Sequence, residues 1–272
     1  MTHPYRPIHA PHLQPELRRP WYSCREYTPS RRLESHVASF WTMDFQPESE
    51  HQWHRVIPDG CVDIVVDLLS PTSRKAAFVV GLATRSKVLH FSEARSVFGI
   101  RIYSESARAI LKFPLSAFKK HHVFLEEIWG SEGLHWVEEI LTAKTTSDII
   151  EIAEHKLCRM LSDSDMPTPS LVYQSMQHMY ACKGNLSVSN LADKVNFSER
   201  HLRRVFDREL GLSPKEMLGI VRFQSILQEF YRGDYSSLTD LALKYGYYDQ
   251  SHFSNTFAHY YGLPFKRLTK RG

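Results

Sequence analysis

The chain has 272 residues, of which 42% are hydrophobic and 24% charged, a composition typical of a soluble globular protein with room for two domains. Its longest apolar runs, such as residues 76–83, are far too short to span a bilayer. The proline-rich residues 1–20 lack the apolar core of a signal peptide and are interpreted as a flexible leader. Four widely spaced cysteines without a C-x-x-C pair argue against a zinc finger or a disulfide scaffold and favour the cytoplasm.

The formal net charge of +4 is unevenly distributed along the chain. Residues 166–272 contain 14 Lys and Arg against nine Asp and Glu, whereas residues 1–165 contain 20 against 21. All the excess positive charge therefore lies in the C-terminal part. Such an asymmetry points to a nucleic-acid partner for that part.

The segment from His36 to Tyr103 is rich in short runs of Val, Ile, Phe and Trp that predict strands. The Pro58-Asp59-Gly60 sequence between two of these runs predicts a tight hairpin turn. Six strands at roughly ten-residue spacing, without helices between them, indicate an antiparallel sandwich or barrel. The predicted strands are His36–Phe45, Trp53–Ile57, Cys61–Leu68, Ala76–Val80, Lys87–Phe91 and Ser96–Tyr103.

After Tyr103 the apolar spacing changes to that of helices. The last helix before the polar, proline-ending segment at residues 162–167 carries an apolar stripe. This stripe either pairs two protomers or packs on the barrel, and both interpretations stay open. The predicted helices are Ser104–Lys112, Leu115–His122, Leu125–Trp129, Gly133–Leu141 and Ser147–Leu161.

Beyond residue 167 every predicted element is a helix. Each begins at a Ser or Asp suited to capping, and most end at a glycine. These helices are Ser170–Ala181, Ser187–Val195, Ser198–Leu210, Ser213–Tyr231, Ser236–Tyr245 and Asp249–Tyr261.

An internal repeat links these helices. Residues 191–197 are echoed by residues 241–247, and the Leu-x3-Phe-x4-Gly-Leu pattern of residues 202–212 by the Phe-x3-Phe-x4-Gly-Leu pattern of residues 253–263. Each copy is a short helix, a turn and a second helix, which predicts two helix-turn-helix units. The helix between the units extends about 28 Å, compared with about 34 Å between successive major-groove faces.

The exposed faces of the second helices carry chemistry suited to reading bases. Arginine forms bidentate contacts with guanine, and Gln or Asn suits adenine. The predicted DNA-binding residues are Arg200, Arg203 and Arg204 in the first unit and Gln250, Ser251, His252 and Asn255 in the second.

Residues 241–257 resemble the signature of the AraC/XylS family, and residues 198–206 with Gly211-Leu-Ser-Pro resemble its first unit. The resemblance covers about residues 170–268. It implies a bacterial transcriptional regulator with two helix-turn-helix subdomains joined by a linker helix, and it implies base contacts at the seven predicted residues. The family's Gly-x-Ser/Thr-Pro-x-x-Tyr-Arg ending is replaced by Gly262-Leu-Pro-Phe-Lys-Arg-Leu-Thr, which affects the expected packing of the last helix.

Residues from about 25 to 161 resemble a poorly characterised module that precedes AraC-type helices. The matching segments are residues 57–63, 78–81 and 98–102. The resemblance implies a cupin-like barrel followed by helices. A barrel of this size holds a small molecule when an aromatic wall and charged anchors line it, although the same side chains also serve as core filler and surface charge. The predicted effector-binding residues are Trp41, Trp53, Arg55, Arg101 and Tyr103.

No cofactor, metal or catalytic activity is predicted. The His-x-His and Glu pattern of cupin enzymes is absent, and the histidine pairs at residues 51/54 and 121/122 stand without further ligands at metal-binding spacing. No serine or cysteine triad is identifiable.

The predicted fold class is α+β, with three parts. They are a flexible leader (residues 1–20), a cupin-like sensor or dimerisation domain (residues 21–163, with the barrel at about 21–103 and helices at about 104–163) and an all-α DNA-binding domain (residues 164–272).

The predicted function is a cytoplasmic regulator that binds a double-stranded DNA operator. Its N-terminal domain binds a small effector, forms a homodimer, or does both, and RNA polymerase is a partner if the protein activates transcription. One alternative is a constitutive DNA binder whose N-terminal domain only dimerises. A second is a barrel enzyme fused to a DNA-binding domain.

Overall fold

The computed structural model describes residues 3–9, 14, 20–47, 53–118, 122–162, 170–235 and 237–269. An antiparallel sheet with helices forms the N-terminal part, and helices alone form the C-terminal part, which confirms the α+β prediction. The predicted boundary at residues 162–167 lies almost wholly outside the described residues. The strands are β1 (Tyr22–Tyr27), β2 (Val37–Phe45), β3 (Trp53–Val56), β4 (Cys61–Asp67), β5 (Ala77–Val80), β6 (Lys87–His90), β7 (Arg95–Tyr103) and β8 (Val123–Phe124).

Six strands form one antiparallel sheet in the order β1-β2-β7-β4-β5-β8, and β3 pairs with β6 in a separate two-stranded ribbon. At the centre of the sheet Phe40 and Ile64 lie opposite Ile100 on either side, and all three are fully buried. The indole of Trp41 lies across Gly99, where a Cβ atom would fall 2.0 Å from the ring. Only glycine therefore permits the position that Trp41 takes.

Two details of the strand prediction are wrong. The sequence pattern does not predict strand β1, although this strand pairs along its whole length with β2. Residues 58–60 do not close a hairpin, because β3 pairs with β6 while β4 pairs with β5 and β7. Instead, the carboxylate of Asp59 accepts a hydrogen bond from the Cys61 amide (2.9 Å), and Gly60 adopts a positive φ of 75°. This turn passes the chain from one sheet to the other.

The N-terminal helices confirm the predicted change of period after Tyr103. They are α1 (Ser104–Leu111), α2 (Leu125–Thr142) and α3 (Thr146–Ser162), with a 3-10 turn at Leu115–Phe118. The helix predicted for residues 115–122 is thus a single 3-10 turn, and residues 119–121 lie outside the described residues. Within α2 the backbone is non-helical at Gly130 (φ 58°, ψ −139°), and this kink separates the two helices predicted on either side of it.

Only part of the apolar stripe of α3 is buried within the chain. Ile149 and Leu157 are buried, and α3 packs against α1 and α2, while Ile150 and Ile152 remain half-buried. Whether the stripe also pairs two protomers stays a prediction.

Six of the C-terminal helices that the structure describes begin and end within two residues of their predicted bounds, whereas the sequence analysis predicts no helix for the short seventh one at Lys266–Thr269. The helices are α4 (Leu171–Ala181), α5 (Val188–Lys194), α6 (Glu199–Leu210), α7 (Pro214–Arg232), α8 (Leu238–Lys244), α9 (Gln250–Tyr261) and α10 (Lys266–Thr269). Serine or aspartate side chains cap most of them as predicted, and Ser237 caps α8 next to the predicted Ser236, which lies outside the described residues. The confirmed caps are Ser170, Ser187, Ser198, Ser213 and Asp249.

The linker helix α7 is the core of the C-terminal part. Phe223 is almost completely buried and contacts the rings of Phe257 (5.5 Å) and Tyr260 (5.2 Å) on α9. The apolar burial of α7 on several sides explains why so long a helix is stable between two short units. None of the helices in the described part of the chain combines the length and apolar character needed to cross a membrane.

Candidate nucleic-acid interface

The first recognition helix, α6, places all three predicted arginines in solvent. Arg200, Arg203 and Arg204 are exposed on the first two turns. The guanidinium of Arg203 contacts the carboxylate of Glu199 (2.6 Å), and that of Arg204 contacts Nδ1 of His201 (3.1 Å). These contacts join side chains on one helix at its surface, so they orient the arginines without covering them. The opposite, buried face consists of Leu202, Val205, Phe206 and Leu210.

The second recognition helix, α9, exposes the other four predicted residues. Gln250, Ser251, His252 and Asn255 all lie on the solvent side. The buried side is aromatic and consists of Phe253, Phe257, Tyr260 and Tyr261. Both units therefore present hydrogen-bonding side chains at the amino-terminal half of a recognition helix, which is the half that reaches base edges in helix-turn-helix proteins.

The N-terminal domain contacts α6 at its opposite end. The guanidinium of Arg108 on α1 pairs with the carboxylate of Glu209 (2.5 Å). The hydroxyl of Ser116 donates a hydrogen bond to the Arg208 carbonyl (2.7 Å). These contacts lie on the last turn of α6, away from the predicted base-reading arginines.

The same domain holds α9 in the same way. The Ser86 amide donates to the His259 carbonyl (3.3 Å), and the imidazole of His259 contacts the Thr84 carbonyl (3.2 Å). The guanidinium of Arg55 lies over the ring of Tyr261 (5.0 Å). One domain thus touches both recognition helices at their carboxyl ends and leaves the amino ends exposed.

Residues 3–9, hereafter the arm, connect the two domains. The buried amide of Gln224 on α7 accepts a hydrogen bond from the Ile8 amide (2.8 Å) and donates to the carbonyls of Ile8 (3.2 Å) and Pro58 (2.8 Å). Gln228, one turn later, donates to the Arg6 carbonyl (2.5 Å). Residues 3–9 of the predicted flexible leader are therefore packed against the linker helix.

Aromatic side chains seat the arm on both domains. The ring of Tyr5 stacks on Tyr180 of α4 (4.5 Å), and its hydroxyl donates to the Asp59 carbonyl (2.6 Å). The hydroxyl of Tyr103 donates to the Tyr5 carbonyl (2.9 Å), while the Tyr103 ring stacks on His3 (3.5 Å). Burial raises the pKa of Tyr5 well above its usual value, so its hydroxyl stays a donor at neutral pH.

A cluster of buried charges lies under the end of the arm. The guanidinium of Arg101 is 3.1 Å from a carboxylate oxygen of Asp59 and 3.2 Å from one of Asp63, and it also contacts the imidazole of His9. Burial raises the pKa of Asp59 to about 6, and the positive charge of Arg101 opposes part of that rise. The indole of Trp41 donates to Asp63 (2.9 Å) and faces Arg101.

The predicted effector residues are therefore only partly brought together. Arg101 and Tyr103 contact the arm, through His9 and the Tyr5 carbonyl, and Trp41 contacts Arg101 and Asp63. Arg55 instead faces Tyr261 of the C-terminal domain. The backbone of Trp53 lies in β3, but its side chain is outside the described part of the chain.

A cavity of about 310 Å³ lies between the arm and the C-terminal helices, and none of the five predicted effector residues lines it. Its walls are mainly polar and charged, and they are formed by Pro4, Tyr5, Tyr180, Lys183, Ser225, Gln228, Glu229, Arg232, Asp234, Lys244 and Tyr245.

The sequence predicts neither the arm contacts nor the role of Gln224, because each of these contacts joins residues more than 40 positions apart and leaves no local signal.

The two histidine pairs of the sequence are only partly described, since His51 and His121 lie outside the described residues. Within the described ranges, no group of three or more His, Cys, Asp or Glu side chains is placed to hold a metal ion.

Comparison with known proteins identifies both parts of the chain. Residues 191–271 match the family described as "Helix-turn-helix domain", and residues 25–124 match a domain of unknown function (DUF6597). The C-terminal part is an AraC-type helix-turn-helix domain, and the N-terminal part belongs to the DUF6597 family.

Several regulators are similar to this chain. One is the "Probable thc operon regulatory protein" of Rhodococcus erythropolis, 26% identical over 43% of this chain and 36% of that protein. Another, from Haemophilus influenzae, is named as an HTH-type transcriptional regulator and is 33% identical over 28% of this chain and 25% of that protein. The chain thus spans about a third or less of the length of these relatives. Crystal structures of ToxT from Vibrio cholerae superpose on 92% of this chain and 98% of theirs, with 13–14% identity and a TM-score of 0.40.

Proposed function

We propose that the protein is a cytoplasmic, sequence-specific regulator of transcription that binds double-stranded DNA. One observation carries the proposal: two helix-turn-helix units expose arginines or amide side chains at the amino ends of their recognition helices. The excess positive charge of residues 166–272 supplies the long-range attraction to phosphate. No catalytic role is proposed for either domain.

The two units differ in the bases that they suit. Arg200, Arg203 and Arg204 on the first helix favour guanine, whereas Gln250 and Asn255 on the second favour adenine. The proposed operator therefore has a guanine-containing half and an adenine-containing half, one groove turn apart.

Binding to DNA is tested by selecting duplexes from a random library with the full chain and measuring affinity for the enriched sequence by fluorescence anisotropy. Arg200→Ala and Arg204→Ala are expected to weaken binding, while Arg31→Ala, which removes an exposed arginine from the N-terminal domain, serves as the matched control. Replacing an arginine that binds phosphate also lowers the salt dependence of binding. Failure of the full chain to enrich any sequence would overturn the proposal.

For the N-terminal domain we propose control through the arm. A small effector that binds at Trp41, Arg101 and Tyr103 competes for groups that now hold His9 and Tyr5. Because the arm also contacts Gln224 on the linker helix, displacing the arm removes a contact with the helix that joins the two units and is proposed to change their relative placement.

The second candidate is a dimerisation module, favoured by the half-buried Ile150 and Ile152 on α3. A thermal shift with one compound from a metabolite panel, abolished by Tyr103→Phe or Trp41→Phe, supports the effector role. Absence of any shift, together with a dimer by analytical ultracentrifugation that Ile150→Glu dissociates, supports the dimerisation role. RNA polymerase becomes a further partner if the regulator activates transcription.

A further inference from the structure

An exposed aromatic residue stands directly before the cap of each recognition helix. Phe197 precedes the cap Ser198 of α6 and is 46% exposed, and Tyr248 precedes the cap Asp249 of α9 and is 90% exposed. The sequence repeat hides this equivalence, because it aligns Phe197 with Tyr247 and leaves Tyr248 as the inserted residue. Counting from the caps instead places Phe197 and Tyr248 at the same position in the two units.

Packing within the folded chain does not account for the exposed position of these two rings. An apolar residue before a helix cap ordinarily packs inward against the fourth helical residue. That fourth residue is Leu202 in α6 and Phe253 in α9, and both are already buried. Phe197 instead stacks on the ring of His201 (5.0 Å between ring centres), which is itself half-buried. Its counterpart in the second unit is almost wholly in water.

The chemistry around both rings is that of the base-reading surface. Arg200 follows Phe197 by three residues, and Gln250 and Ser251 follow Tyr248 by two and three, all exposed at the amino ends of the helices. Hydrogen-bonding groups there suit purine edges, and the apolar feature of the major groove is the thymine methyl group, which aromatic side chains contact.

We propose that Phe197 and Tyr248 each contact the 5-methyl group of a thymine at the edge of the half-site that their recognition helix reads. This inference rests on the proposed DNA binding. It adds one thymine per half-site to the readout by arginine and amide groups.

The test uses the full chain and the duplex enriched from a random library. Each thymine is replaced in turn by deoxyuridine, which removes only the methyl group, and affinity is measured for the wild type, Tyr248→Ala and Phe197→Ala. Tyr173→Ala is the matched control, since Tyr173 is 41% exposed on α4, outside both recognition helices.

The wild type is expected to lose about fourfold in affinity at one thymine of each half-site, the effect of one buried methyl group. The affinity of Tyr248→Ala for the thymine duplex is expected to equal that of the wild type for the duplex with deoxyuridine at the contacted position. Replacing that one thymine by deoxyuridine is then expected to have no further effect on the variant. Phe197→Ala behaves in the same way at the other half-site, and Tyr173→Ala keeps both sensitivities.

Unchanged affinity of Tyr248→Ala, or an equal loss on thymine and uracil duplexes, overturns the inference, and the second result marks a contact with the sugar-phosphate backbone. If Arg204→Ala still weakens binding in the same experiment, the proposed function stands while this inference falls. If the wild type enriches no sequence, both fall together.

Discussion

Replacing Gln224 by alanine tests whether the arm truly joins the two domains. The side chain of Gln224 is fully buried and makes three hydrogen bonds, two with Ile8 and one with Pro58. Alanine leaves the Ile8 amide and the Pro58 carbonyl without these partners. A buried polar group left unsatisfied costs about 1–3 kcal/mol.

Release of the arm into water limits the total penalty, because the freed groups then bind solvent. We expect the free energy of unfolding to fall by about 2–4 kcal/mol, and the melting midpoint by about 5–10 °C. The Ile8 amide is expected to exchange its hydrogen much faster in the variant, because Gln224 is its acceptor in the folded chain.

Differential scanning fluorimetry and hydrogen–deuterium exchange of the peptide that contains Ile8 measure both effects. Gln250→Ala is the matched control, since this glutamine is exposed on α9 and its loss is expected to change stability by less than about 0.5 kcal/mol. If Gln224→Ala changes neither the melting midpoint nor the exchange at Ile8, the arm does not hold the domains together in the way its contacts indicate.

Three further predictions concern single residues. Arg204→Ala is expected to relax sequence preference and to cost about 1–3 kcal/mol on the selected site; equal losses on selected and random DNA would show a phosphate contact instead. Gly184→Ala is expected to destabilise the fold by about 3–5 kcal/mol in chemical denaturation, because its φ is +70° and a Cβ atom would lie 2.4 Å from backbone atoms of α7. Gly233→Ala, at a φ of +72° but with open space, is the control and is expected to lose about 1–2 kcal/mol; similar losses in both variants would contradict the steric argument. Burial, and after it the charges of nearby arginines, lowers the pKa of His54 to about 4. As the pH falls from about 6.5 to about 4, His54 is therefore protonated in the unfolded chain but remains neutral in the folded chain. Stability is expected to decrease over that window by about 2 kcal/mol, after allowance for partial exposure of the ring, and His54→Gln is expected to reduce this dependence; an identical pH profile in the variant would refute the assignment.

Apart from the short α10, the sequence alone determined the helices of the C-terminal part. Helix caps and glycine stops act within four residues, so the signal at Ser198, Ser213 and Gly211 was complete in the chain itself. Helical spacing is also a short-range signal, and it therefore predicts which residues of α6 and α9 face solvent. The buried side of α6 is mainly aliphatic and that of α9 is aromatic, and each left only one orientation open.

Only the tertiary structure decided how the domains meet. Gln224 binds Ile8 across 216 positions, and Arg55 turns away from the predicted effector residues towards Tyr261. Strand β3 pairs with β6 rather than with its neighbour β4, which removed the predicted hairpin. Such contacts depend on the packing of distant surfaces. The repeat in the sequence therefore revealed two recognition helices. Only the fold showed that one N-terminal domain contacts both helices at their carboxyl ends and leaves Phe197 and Tyr248 exposed beside the predicted DNA-binding residues.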